Sequence, residues 1–536
     1  MGGPPRWPGA ARFLAVAVPA AAMLAVGLWG LHRGGMWRDE AVTYQVARRT
    51  VPQIWRLLHG VDAVHGLYYL LMHVVLAADP GHPGEVVLRL PSVCASAVTA
   101  GLLAVLGTRL ARPRVGLWAG LLYAVTPLVG HYAQEGRSYA LVAAGATGAT
   151  LLFVRAVREE ERRAWWRYGA VLGVTCWLHE FAVLLLLAHA GTLALARSSG
   201  RVWRGWGCAA GGVALSLLPM VVVSHGQSAQ VAWLREPDVE TAQELLRQYL
   251  GPTDRVYWVC LALGLLGLTR LVGRRGEVTL AAVALPLAVL PPVALMLASQ
   301  LTPLYVDRYV LYALAGGPLL VALGADRVAR ALGRLWPQGA AAVPRSPAFT
   351  LAGVLAIALA FTHQVPLLRA DRGPGTRPDD LGAVAAAVAR TLRPGDPVLF
   401  LPAHARGVEL AYPADFKATK DVALAEPGAE SGTLYGREVG AGTLRRRLAG
   451  ADEVWAVMEK YALVRGYRPR LATERAKFAV LNQQFVLREE MVIDRVAVRL
   501  YVRPIRVGSE ESGLRVGGGW SRPRGGSRTS TTAPRP

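Results

Sequence analysis

The sequence predicts a polytopic α-helical membrane protein of about eleven transmembrane helices, carrying a small α/β domain outside the membrane near its C-terminus. Three observations predict this. Of the 536 residues 53% are hydrophobic, and they are gathered into blocks such as 13–31, 278–298 and 349–362 that carry almost no charge. The first two are close to the roughly twenty residues a helix needs to cross about 30 Å of hydrocarbon, and the third reads as the centre of such a span. The net charge is +22, and its arginines fall in clusters between the blocks. Beyond about residue 366 the pattern changes to short strand and helix signals.

The first block follows Arg6 and Arg12 but has no small-residue cleavage site, so it reads as a retained span rather than a removed secretory leader. Arginine clusters then mark the cytoplasmic loops, because short basic loops stay inside. They lie at 109–114, 155–163, 197–204, 270–275 and 327–334. With the N-terminus inside, this alternation makes 37–85 one long outer loop. It places spans at 86–110, 115–130, 138–157, 165–178, 180–197, 205–223, 255–271, 278–299, 309–326 and 349–364. The apolar run HGLYYLLMHVVLAA (65–78) is too short to cross and reads as an interfacial or re-entrant helix. An odd number of spans leaves the C-terminal side extracytoplasmic.

Residues 367–505 then read as the outer α/β domain. RPDDLGAVAAAVARTL is an amphipathic helix, PVLFLP and DEVWAVM are buried strands, and FVLREEMVIDRVAVRLYVRP is a hairpin or strand pair. Residues 506–536, rich in Gly, Arg, Ser, Thr and Pro, read as a disordered basic tail.

The composition also excludes. Arginines divided among loops between spans do not form a nucleic-acid-binding face, so no nucleic-acid partner is expected. The four cysteines, Cys94, Cys176, Cys208 and Cys260, lie inside apolar blocks without metal-ligand spacing, which supports neither a disulfide framework nor a zinc site.

Chemistry concentrates at the outer ends of the spans. Asp39 and Glu40 stand just beyond the first span, where acids also suit the start of a helix. The short second outer loop, HYAQEGRSYAL, packs in His131, Gln134, Glu135, Arg137 and Tyr139. Ionisable groups near membrane depth are costly unless they pair or face an aqueous cavity, which makes them functional candidates. His179 and Glu180, and Tyr305, Asp307 and Arg308, add to the same face. For each set a plain alternative exists: a Glu135–Arg137 pair reaching the interface, a satisfied interior histidine, an arginine that anchors a helix end. Their joint occurrence on one face favours a site.

These stretches resemble the GT-C membrane glycosyltransferases, in particular glycosyltransferase family 39, the protein O-mannosyltransferases and the lipid A aminoarabinose transferases. The resemblance rests on WRDEA (37–41), HGLYYLL (65–71), VVLRLPS (86–92), QEGRSYAL (134–141) and DRYVLYALAGGPLL (307–320), in that order. It implies that residues 1–366 form the catalytic unit and that the chain takes a sugar from a polyprenyl-phosphate donor in a bacterial plasma membrane. The acceptor would be a hydroxyl of a glycan, lipid or protein. Mannose is the sugar suggested by kinship, and inversion at the anomeric carbon is implied by the family. Asp39 becomes the general base, with Glu40 assisting or positioning it. Arg137 and then Arg308 become the phosphate ligands, while Glu135, Tyr139, His65, Tyr68 and His179 line the donor pocket. A divalent cation would help the phosphate leave, but no ligand spacing demands one. VHGLYY replaces the proline-rich PPLYY of many relatives, so the loop geometry there is its own. The alternatives from other classes are a transporter or lipid flippase and a non-catalytic membrane scaffold or sensor, and within enzymes a lipid-linked glycan polymerase or ligase.

Overall fold

The computed structural model describes residues 9–78, 84–227, 234–335, 345–373, 377, 379–416 and 419–504. Its membrane part is a helical bundle: α1 (Gly9–Leu28), α2 (Arg38–Ala47), α3 (Val51–Leu58), α4 (Gly66–Ala77), α5 (Glu85–Leu110), α6 (Pro113–Val125), α7 (Pro127–Ala133), α8 (Tyr139–Glu159), α9 (Arg162–Leu178), α10 (Leu185–Leu195), α11 (Gly200–Gly226), α12 (Val239–Leu250), α13 (Asp254–Gly267), α14 (Leu280–Ala298), α15 (Gly316–Leu335) and α16 (Arg345–Asp371).

Every stretch expected to span is helical. Among the described residues, seven helices are long and apolar enough to cross a membrane, those of α1, α5, α8, α11, α14, α16 and the 307–335 helix that ends in α15. The chain is an integral membrane protein. The remaining expected spans are shorter or broken. The run 115–130 is not one helix, because Thr126 takes an extended conformation before Pro127 and divides it into α6 and α7. A residue preceding proline is pushed away from helical geometry, and a proline is well placed to begin the next helix. The run 180–197 likewise opens with a 3₁₀ segment, Glu180–Leu184, before α10. Both interruptions fall at the same end of the bundle.

Small residues let the bundle close. A Cβ on Gly107 of α5 would stand only 2.8 Å from the Gly116 Cα of α6, so the two backbones meet where glycine faces glycine. At one end of the bundle the basic loops converge on an open cavity of about 750 Å³ lined by Arg112, Arg158, Arg270, Arg327, Arg330 and Arg334. Buried Asp326 pairs there with Arg112, Arg114 and Arg330.

The long loop expected over 37–85 is structured where described. α2, α3 and α4 fold across the opposite end, and α4 is a short helix of 12 residues. Above it sits a five-stranded mixed sheet in the order β2-β1-β5-β7-β6, built from β1 (Pro397–Leu401), β2 (Lys420–Asp421), β5 (Glu453–Glu459), β6 (Val486–Ile493) and β7 (Val496–Val502). A separate antiparallel pair joins β3 (Leu424–Glu426) to β4 (Arg437–Glu438). β1 runs parallel to β2 and β5, and β5, β7 and β6 are antiparallel.

β1 is buried on both faces because the two faces serve two cores. Val398 and Phe400 pack with Met36, Tyr44, Tyr68 and the helix α17 (Leu381–Thr391). Leu399 and Leu401 pack on the other side with Val454, Ala456 and Val480. Alternation along the strand produces this division. The first core is continuous from the outer loop into the sheet, so the domain is seated on α2 and α4. The expected tail, 506–536, lies outside the described residues.

Candidate functional site

The site is organised by the first turn of α2. Trp37 is extended and the helix begins at Arg38, so Arg38, Asp39 and Glu40 are successive helical residues. Successive side chains on a helix point about 100° apart. The three therefore face three different parts of the molecule.

Glu40 points inward and is fully buried. Arg89 of α5 grips both its oxygens, with Nε 2.8 Å from Oε1 and Nη2 2.9 Å from Oε2. Arg377 donates to Oε2 at 2.8 Å, and the Gly136 N–H donates to Oε1 at 2.9 Å. Burial penalises the carboxylate, but Arg89 and Arg377 outweigh that and hold its pKa below the ordinary value. Arg89 also donates to the carbonyls of Leu31 (3.0 Å) and Gly35 (3.0 Å), tying the end of the first span to α5. With four donors on its two oxygens, Glu40 anchors the turn rather than accepting a substrate proton.

Asp39 is left open. Its side chain is 27% exposed, and its Oδ2 lies 3.5 Å from Arg308 Nη2. Arg308 is held in an aromatic box, with its guanidinium 5.7 Å from the Trp37 and Tyr139 ring centres and 5.8 Å from that of Tyr309. Its Nε donates to the Tyr139 hydroxyl at 3.1 Å. Asp307 turns away and accepts from the Tyr132 hydroxyl at 3.0 Å.

Arg137 is buried beneath Asp39. Its Nη1 donates to Thr43 Oγ1 (3.2 Å) and to the Asp39 carbonyl (3.4 Å), and its Nη2 donates to His65 Nε2 at 2.6 Å. A guanidinium only donates, so His65 Nε2 must accept, which assigns the imidazole proton to Nδ1. Burial, then the charge of Arg137, hold the His65 pKa well below its ordinary value. Asp62, one of the few non-glycine residues with a left-handed backbone (φ 57°), accepts from the Tyr69 hydroxyl at 2.8 Å beside this cluster. His179 completes the wall, with its ring 5.9 Å from His65, 5.6 Å from Tyr139 and 4.6 Å from Tyr309.

Around these groups several buried polar atoms have no hydrogen-bond partner among the described residues: Arg137 Nε, His65 Nδ1, His179 Nδ1, Tyr68 Oη and Ser138 Oγ. Buried polar groups are nearly always paired, so orphans gathered in one place make it a candidate contact region for a polar ligand. Donors dominate the set, which suits an anion.

The structure thus brings Asp39, Arg137, His65, Tyr139, His179 and Arg308 together, with Tyr68 buried beside them. Glu135 is placed differently. It pairs with His131 at 3.4 Å, not with Arg137, in a small cavity shared with Trp37, Gln134, Asp371 and Arg377. His131 in turn meets Asp371 at 2.6 Å. Sequence reasoning missed Arg89, Arg377, Thr43 and Asp62. Arg89 had a signal, since it is a lone charge in the apolar run VVLRLPSVCASAV. Arg377 had none, because it reaches Glu40 from 337 residues away. Among the described residues, no group of three or more His, Cys, Asp or Glu is placed to hold a metal ion.

Comparison with known proteins adds two findings. Residues 67–225 match the family model described as dolichyl-phosphate-mannose-protein mannosyltransferase. No curated protein matches the chain. Among solved structures it resembles ArnT from Cupriavidus metallidurans in the apo state, with a TM-score of 0.56 at 14% identity, covering 90% of this chain and 97% of that one. The same protein bound to undecaprenyl phosphate matches over the same shares with a TM-score of 0.53 at 14% identity. The oligosaccharyltransferase AglB from Archaeoglobus fulgidus follows at 0.49 and 11% identity, covering 93% and 75%.

Proposed function

The chain has the GT-C fold, and from that premise we propose that it is a membrane glycosyltransferase that moves a sugar from a polyprenyl-phosphate donor to an acceptor hydroxyl on the outer face of the membrane. One observation carries the reading: the partly exposed Asp39 carboxylate faces Arg308, Arg137 donates to the main-chain carbonyl of the same residue, and buried polar atoms around them have no partner among the described residues. The undecaprenyl phosphate of the ArnT complex supports a donor of that chemical class.

In this reading Asp39 removes the proton from the acceptor hydroxyl as its oxygen bonds to the anomeric carbon. The bond from that carbon to the phosphate oxygen breaks, and its electron pair leaves with the polyprenyl phosphate. A single displacement inverts the anomeric centre. Arg137 and Arg308 take up the charge gained by the phosphate, because guanidinium offers paired donors to phosphate oxygens. Neutral His65 adds its Nδ1–H without adding charge, and Tyr68 and His179 complete the wall around the sugar. Mannose is the donor sugar of choice for a first assay. The convergent arginine loops at the far end of the bundle support a cytoplasmic N-terminus and an extracytoplasmic sheet domain in a bacterial plasma membrane.

The test is transfer of label from radiolabelled polyprenyl-phosphate mannose in membranes expressing the chain. Loss of a placed general base lowers the rate by about 10²–10⁴-fold, so Asp39→Asn is expected to fall by that much at matched expression. Arg137→Lys, which keeps the charge but loses the paired donors, is expected to fall less. If no polyprenyl-linked sugar is consumed by the folded wild type, the reading is wrong.

A further inference from the structure

The sheet of the outer domain contains a switch point. The chain leaves β1 toward β2 on one flank and leaves β5 toward β6 on the other, although β1 and β5 are parallel neighbours. Where connections leave adjacent parallel strands in opposite directions, a crevice opens beyond their carboxyl ends, and in open α/β sheets that crevice is where ligands bind.

Here the carboxyl ends of β1 and β5 face the first turn of α2. Glu459, the last residue of β5, accepts from Arg38 Nη2 at 3.0 Å. Arg38 is the residue before Asp39, so the charged floor of the crevice is joined in sequence to the reacting carboxylate. His404, just past β1, lies 3.7 Å from Glu459 and 3.3 Å from the Tyr461 hydroxyl. The His404 and Tyr461 rings are nearly parallel, 15° apart in plane and 6.2 Å between centres, and Tyr461 is 45% exposed. Tyr435 sits between the two regions. Its ring is 6.2 Å from that of His404, and burial, with smaller effects from the nearby charges of Arg38, Asp62, Asp39 and Glu459, holds its phenol above the ordinary range. A path of polar and aromatic groups therefore runs from Asp39 past Tyr435 to the open face of Tyr461.

We propose that this crevice binds the acceptor and that the acceptor is a carbohydrate. Its ring packs on Tyr461, while Glu459, His404 and Arg38 hold its hydroxyls and present one of them to Asp39. The proposal rests on the sugar-transfer reading above and deepens it. The chemistry favours a glycan over a peptide. A carboxylate, a guanidinium and an imidazole together supply both acceptors and donors for hydroxyl groups, and an aromatic face suits the C–H face of a pyranose. A peptide held by its backbone would need an open strand edge, and β2, beside this crevice, is only two residues long.

The experiment uses the purified full chain in nanodiscs and saturation-transfer NMR. The probes are methyl α-mannopyranoside, methyl β-glucopyranoside, methyl α-arabinofuranoside and a Ser/Thr-containing heptapeptide. At least one glycoside is expected to be saturated by the wild type. Tyr461→Ala, a change at an exposed position, is expected to bind that glycoside about tenfold more weakly, near the upper limit for loss of one aromatic contact. In the membrane assay it should transfer correspondingly less label while consuming donor with an unchanged donor KM. Glu459→Gln, which keeps the shape of the carboxylate, should weaken the same glycoside. A wild type that transfers sugar but saturates no glycoside, or saturates only the peptide, overturns the carbohydrate crevice and leaves the transfer reading standing. The same holds if Tyr461→Ala binds and transfers like wild type. A wild type that consumes no donor overturns both.

Discussion

Two neighbouring carboxylates, one helical step apart, have opposite fates. Asp39 and Glu40 are chemically alike, yet Arg89, Arg377 and the Gly136 N–H immobilise Glu40, while Asp39 meets only the edge of Arg308. Removing one partner of a buried ion pair leaves an uncompensated charge, at a cost of about 3–5 kcal/mol. Glu40→Gln is therefore expected to lower the thermal unfolding midpoint sharply, since Arg89 is fully buried, whereas Asp39→Asn is expected to leave the midpoint near wild type and lower turnover by about 10²–10⁴-fold. Differential scanning fluorimetry in detergent, run beside the transfer assay, separates the two. The adjacency of the acids was legible in the sequence, and so was their position beyond the first span. Their division of labour was not, because it depends on partners 49, 96 and 337 residues away.

Helix α17 reaches the outer loop through a close backbone contact. A Cβ on Gly35 would stand 2.5 Å from both the Asp380 carboxylate oxygen and the Gly382 nitrogen. Asp380 caps α17 through the Ala383 N–H (3.0 Å), and the Leu381 N–H donates to the Met36 carbonyl at 3.1 Å. Gly35→Val is accordingly expected to lift α17 away and loosen Arg377 from Glu40. Faster limited proteolysis between α16 and β1, with reduced transfer, would register it; unchanged cleavage would count against this contact as the seat of the domain. The elements themselves were readable to different degrees. α17 announced itself by its helical period, and β1, β5 and the β6–β7 hairpin by apolar or β-branched runs long enough to read as strands. β2, β3 and β4 have two or three residues each, too few for any period. The break at Thr126 was hidden inside an apolar stretch, although Pro127 carried its physical cause.

At the scale of the whole molecule, the two parts share a core and a set of charges, and pH should act on both. His65 is held neutral when folded, but its ordinary pKa is about 6.5 when unfolded, so the unfolded chain binds more protons below that value. Its contribution is fully present above about pH 6.5 and is lost as pH falls. His131 has the opposite sign. Burial alone would lower it, but Asp371 and Glu135 push it up to about 10, so its contribution is lost as pH rises from about 6.5 toward about 10. Unfolding midpoints measured from pH 5 to 9 should therefore find the gap between wild type and His65→Gln narrowing toward acid, and the gap for His131→Gln narrowing toward alkali. Gaps that do not change with pH would refute these assignments. The apolar blocks made the helical, membrane-embedded character of the bundle legible from the chain alone. The seating of the sheet was not, since Arg38, Arg49 and Arg377 find their partners more than 300 residues away in sequence.

The first turn of α2 also sets terms for anyone who would recombine such proteins. Arg38 faces the sheet, Asp39 the arginine box and Glu40 the helix α5, so one turn measures the position of three bodies at once. A chimaera that imports an outer domain from another chain will keep its membrane half competent only if the newcomer brings a guanidinium to Glu40 and an acid to Arg38. Grafts chosen for those two charges, rather than for overall sequence similarity, are the ones to build.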